Sequence, residues 1–72
     1  MKKLIITLGD DNNQNYHRTI ELCVPTRMHR ILSDYDVDEM DEHDQMWDMM
    51  CDMIEENFRD IPRSWFIDKI QF

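Results

Sequence analysis

Sixteen of the 72 residues are Asp or Glu, against eight Lys or Arg, so carboxylate chemistry is the first to weigh. Asp34, Asp36 and Asp38 alternate like the opening of a calcium-binding EF-hand loop, where spaced carboxylates reach one hard cation. The match covers only the first three ligand positions. The sixth holds Glu39, where the loop needs Gly to turn sharply, and the twelfth holds Gln45, where a bidentate Glu is needed. Helix capping by Asp36 explains these acids better, with weak divalent-cation binding at Asp34, Asp36 and Asp38 as the alternative, and no metal ligand is assigned. His17, His29, His43, Cys23 and Cys51 show neither C-x-x-C nor H-x-x-x-H spacing. The only serines, Ser33 and Ser64, sit in no nucleophile motif, and the only glycine, Gly9, cannot make a phosphate-cradling loop. The expectation is a protein that is not an enzyme and carries no cofactor.

The acid is concentrated in one stretch. From Asp34 to Asp60 there are twelve carboxylates and one base, Arg59, a net of −11, while residues 1–33 sum to +2 and residues 61–72 to +1. At 100° per residue, Asp41, Asp44, Asp48, Asp52 and Glu55 fall on one side of a helix, with Glu56 at the edge. A solvated helix face usually mixes charge signs, because Glu–Lys pairs at i, i+4 are stabilising. Here Asp44–Asp48 and Asp48–Asp52 are like-charge i, i+4 pairs, each costing a few tenths of a kcal/mol. Asp is also a poorer helix former than Glu. The row is therefore kept at a local cost. Such a row can be a solvated face, or it can imitate a nucleic-acid backbone and enter a basic groove.

Two further sectors complete that helix. Met40, His43, Trp47, Met50, Cys51, Ile54 and Phe58 form the predicted core stripe. Met46, Met49 and Met53 lie beyond it. Met is flexible and polarizable and is over-used on adaptable binding surfaces. Those three residues are either a broad extension of the core or an apolar partner surface, to which Trp65 is a further contributor.

The surrounding elements follow from period and punctuation. Residues 3–8 predict a strand with Leu4, Ile6 and Leu8 on one face, and residues 16–24 a second with Arg18, Ile20, Leu22 and Val24 aligned. The polar segment Gly9 to Asn15 joins them as a hairpin loop longer than two residues. Thr26 caps a short helix with Met28, Ile31 and Leu32 on one side and Arg27 and Arg30 on the other. The long helix is predicted from Asp36 to about Arg59, roughly 36 Å. Asp36 and Glu39 would form its capping box and Tyr35 and Met40 its hydrophobic staple, and Pro62 forbids extension. Residues 64–72 predict a third strand, Trp65 and Ile67 facing one way and Phe66, Ile70 and Phe72 the other. The reading is one α+β domain over residues 1–72, in the order β-β-α-α-β, with a three-stranded antiparallel sheet under one long acidic amphipathic helix and one short helix.

Composition narrows the function. A net charge of −8 disfavours attraction to nucleic acid or anionic lipid. Arg27, His29 and Arg30, with Lys2 and Lys3 near the start, are too few for a nucleic-acid footprint and are expected to face the acidic helix within the fold or across a dimer. Leu4 to Leu8 is too short for a secretion signal and no segment nears the ~20 apolar residues of a membrane span. The cytoplasm is the expected location, with Cys23 and Cys51 reduced. The leading expectation is a small acidic module that inhibits or modulates a nucleic-acid-handling protein by presenting its carboxylate row to a basic groove. Its size, acidity and lack of catalytic motifs resemble the general character of phage-encoded anti-restriction and anti-CRISPR inhibitors, a likeness of composition that transfers no residues. The alternative is a homodimer or complex-forming module that uses Met46, Met49 and Met53.

Overall fold

The computed structural model describes residues 1–34 and 36–72. The fold is α+β. It runs through strand β1 (Lys2–Asp10), strand β2 (Asn13–Val24), helix α1 (Thr26–Ser33), a 3-10 turn (Val37–Glu39), helix α2 (Met40–Asn57) and strand β3 (Trp65–Gln71). The sheet is antiparallel in the order β2-β1-β3, so the first strand occupies the centre. Alternation in β1 turns Leu4, Ile6 and Leu8 to one face, where all three are fully buried. Ile6 pairs with Ile20 on one side and Ile70 on the other. Met28 and Leu32 of α1 and Met50 and Ile54 of α2 close over them. Each such side chain contributes about 1.5–3 kcal/mol when fully buried.

The hairpin is tighter than its composition suggests. Asp10 pairs with Asn13, leaving only Asp11 and Asn12 as the turn, and Gly9 stands in a register shift. The polar residues satisfy the backbone locally: Asn12 N–H donates to Asp10 Oδ1 and Asn15 N–H to Asn13 Oδ1, both at 3.1 Å. Asp10 Oδ1 also accepts from Ser64 Oγ, and Asp11 N–H donates to the Ser64 carbonyl at 3.1 Å. These bonds tie the turn to the loop before β3.

The third strand corrects the predicted facing. Thr7 pairs with Lys69 but Leu8 pairs with Ile67, so Asp68 is the extra residue of a bulge. The bulge reverses the alternation beyond it. Ile70 therefore joins Trp65 and Ile67 against the core instead of pointing away with Phe66. Phe72 meets the His29 ring of α1 edge-on at 5.7 Å. Phe66 remains on the open face of the sheet, opposite Gly9. A Cβ at Gly9 would stand 2.5 Å from the Phe66 ring tip, so glycine is what lets that ring lie on the strand. Gly9→Ala is expected to displace the ring and to cost on the order of 1 kcal/mol in urea unfolding. In a Phe66→Ala background the same change should cost almost nothing. An equal cost in both backgrounds would place the constraint in the backbone.

The long helix is shorter than predicted and rolled. Asp36 does cap, its carboxylate accepting Asp38 N–H at 3.0 Å, but it caps the 3-10 turn. Glu39 does not complete a capping box; its side chain reaches Arg30 of α1 at 3.4 Å. The staple predicted between Tyr35 and Met40 lies outside the described residues. Helix α2 itself has 18 residues, about 27 Å of rise. It ends at Asn57, whose side chain donates to the Met53 carbonyl at 2.7 Å, two residues before the predicted end.

Candidate functional site

The core contact of α2 is centred on Met50 and Ile54, with Met46, Met53 and Phe58 packed partly against the buried cluster. Relative to the predicted stripe, this is a roll of roughly 40° toward the methionine sector at 100° per residue. Met40 and Trp47, predicted in the core, are instead 46% and 36% exposed. Helix α1 supplies the reason. Arg27 pairs with Glu42 at 3.3 Å, and Glu42 shares a flank with Met46, Met49 and Met53 at i+4, i+7 and i+11. Met28 and Leu32 of α1 share the buried cluster with Met50 and Ile54, so apolar packing against the short helix sets the roll and the exposed Arg27–Glu42 pair lies at its rim. Of the three methionines proposed as a partner surface, Met49 alone is exposed, while Met46 and Met53 are half-buried.

The opposite side of α2 carries the acid row. Asp41, Asp44, Asp48, Asp52, Glu55 and Glu56 are all exposed. Three arginines of the fold pair with acids outside the row. Arg30 and Arg27 hold Glu39 and Glu42 near the helix start. Arg18 of β2 holds Asp60 at 2.8 Å beyond the helix end and lies 5.5 Å over the Phe58 ring. Its guanidinium keeps the Asp60 carboxyl below the ordinary range. Among the described residues, the only ion pair that touches the row is His43 with Asp44 at 4.0 Å, which counts only when the histidine is protonated. Asp41 to Glu55 covers about 21 Å of helix, over which one strand of a DNA duplex presents roughly six phosphates. The row therefore approaches the linear charge density of a single strand.

Beside the row, α2 and β3 bound an open groove of about 510 Å³. Trp47 and Cys51 form its helical wall, Trp65 and Ile67 its strand wall, and Glu55 and Arg63 also line it. The Trp47 ring is stacked on His43, with centroids 6.2 Å apart and planes 19° apart. Burial, reinforced by Asp48, Asp52 and Glu55, pushes the Cys51 thiol above its ordinary pKa. The thiolate is the reactive form. Iodoacetamide is therefore expected to modify Cys23, exposed on β2, well before Cys51. Peptide mass mapping of partly alkylated protein checks the order, and earlier labelling of Cys51 would contradict this field.

Sequence reasoning missed this groove because it assigned Trp47 and Cys51 to the core. The available signal was geometric: Trp47 and Cys51 sit one helical turn apart, between the core centre at Met50 and the acids at Asp44 and Asp48. Asp34 and Asp38 lie exposed beside the capping Asp36, and among the described residues no group of three or more His, Cys, Asp or Glu is arranged to hold a metal ion. No described helix is long and apolar enough to cross a membrane. The chain matches no family model, no curated protein and no solved structure.

Proposed function

We propose that this protein is a binding module, not an enzyme, whose acidic helix face occupies a basic groove on a protein that handles nucleic acid, inhibiting or modulating it. The observation that carries this reading is the exposed row Asp41, Asp44, Asp48, Asp52, Glu55 and Glu56, opposite the buried face of α2. A face needed only for solubility would mix signs and gain i, i+4 pairs. This chain instead directs Arg18, Arg27 and Arg30 to acids at the two ends of the helix. Like-charge repulsion in the row is relieved when a cationic surface covers it, so binding recovers the local cost.

The test is affinity capture from lysate of the source cell or its host, at low and high salt, with duplex DNA as competitor. The expected catch is a basic nucleic-acid-binding protein, released both by salt and by the competing duplex. A catch that ignores both would remove the mimicry reading. A self-associating module is the second reading; it rests on exposed Met49 and predicts a melting temperature that rises with protein concentration.

A further inference from the structure

Charge alone does not account for the tryptophan beside the row. Trp47 is 36% exposed, and its ring is held by the His43 stack. Asp44 lies one turn before it and Cys51 one turn after, with Asp48 adjacent in sequence. The groove it borders has apolar walls but lies along an acidic edge. Arg63 lines the same groove together with Glu55, eight residues or about 12 Å along the helix from Trp47. An incoming cation is therefore favoured at the Trp47 end, beside Asp44 and Asp48 and away from Arg63.

We propose that the groove between α2 and β3 is an arginine-receiving subsite, in which a basic segment of the protein partner lays a guanidinium on the Trp47 ring beside Asp44 and Asp48. This deepens the acid-row reading and rests on it. The complementarity is specific to arginine. A guanidinium is planar, weakly hydrated and able to stack on an indole while bonding carboxylates at its edge, whereas an ammonium is a compact, strongly hydrated point charge. The negative potential that Asp48, Asp52 and Glu55 impose on Cys51 reaches the helical wall of the groove and favours the same cation.

Calorimetric titration of the whole chain with nona-arginine and nona-lysine at low salt tests this. Nona-arginine is expected to bind about tenfold more tightly than nona-lysine. Because carboxylates also favour arginine to some degree, the deciding variant is Trp47→Leu. It should bring arginine binding down to about the lysine level and weaken lysine binding far less. Trp47→Tyr, which retains a ring, should keep most of the preference and shows that a loss in the leucine variant is not misfolding; circular dichroism checks both. Equal binding of the two peptides, or a preference that survives Trp47→Leu, overturns the subsite and leaves the acid row standing. Failure of both peptides to bind overturns the row and the subsite together. A wild-type dimer in sedimentation that Trp47→Leu dissociates would assign the groove to a second copy and overturn the proposal.

Discussion

The Asp44→Asn/Asp48→Asn/Asp52→Asn variant is expected to lose at least about tenfold in affinity for a basic partner while melting higher than wild type. The change takes the net charge from −8 to −5 and removes the centre of the row. It also abolishes the like-charge pairs Asp44–Asp48 and Asp48–Asp52, each costing about 0.2–0.5 kcal/mol. Asn and Asp have similar helix propensity, and all three positions lie beyond the first turn, where the helix dipole favours acids. A domain of this size gains roughly 4–8 °C per kcal/mol, so the expected rise is a few degrees at low salt, shrinking as salt screens the row. The opposite signs matter. Lost binding from a more stable protein cannot be misfolding. Unimpaired binding would show that the row is only a solvated face, and a lower melting temperature would mean that the carboxylates support the helix in some other way.

Ile6→Ala is expected to unfold a large fraction, about half, of the population at room temperature, whereas Ile5→Ala should cost only about 1 kcal/mol. The two residues are chemically identical neighbours. Ile6 is fully buried at the centre of the sheet, between Ile20 and Ile70. Its truncation leaves a cavity costing about 2–5 kcal/mol. A core in a domain this small supplies only about 3–5 kcal/mol, so the two are comparable. Ile5 points to the open face between Glu21 and Gln71 and is half-buried. Urea titration followed by circular dichroism measures both. Similar costs would mean that the open face is covered in solution.

Much of the fold was legible because it rests on local periodicity. The alternation of Leu4, Ile6 and Leu8, and of Ile20, Leu22 and Val24, selects one face without reference to anything distant. Met28, Ile31 and Leu32 mark the buried side of α1 just as directly. Of the basic residues expected to face the acidic helix, Arg27 reaches Glu42 in its first turn and Arg30 reaches Glu39 just before it, whereas Lys3 pairs with Glu21 of β2 and His29 meets Phe72. The candidate site was half legible. The acid row is a property of helical spacing, and all six carboxylates are exposed as drawn. The groove was not, because the apolar arc of α2 is broader than the surface it covers. Trp47, Cys51, Met46 and Met53 are all apolar enough to lie inside.

By itself, the sequence determined which faces are apolar, where the charge is gathered and the order of the elements. Those depend on side-chain chemistry and on periods of 2 and 3.6 residues, which neighbours along the chain define alone. The tertiary structure decided the strand order, the bulge at Asp68 that turns Ile70 inward and the roll of α2 that leaves Trp47 at the surface. Each of these depends on a partner far away in sequence. β1 must pair on both sides, and the bulge shifts β3 along that pairing by one residue. α1, through Met28 and Leu32 packed with Met50 and Ile54, selects which edge of a broad apolar arc is drawn inward. A helix wheel gives the width of the arc, but only packing against a second helix gives its centre.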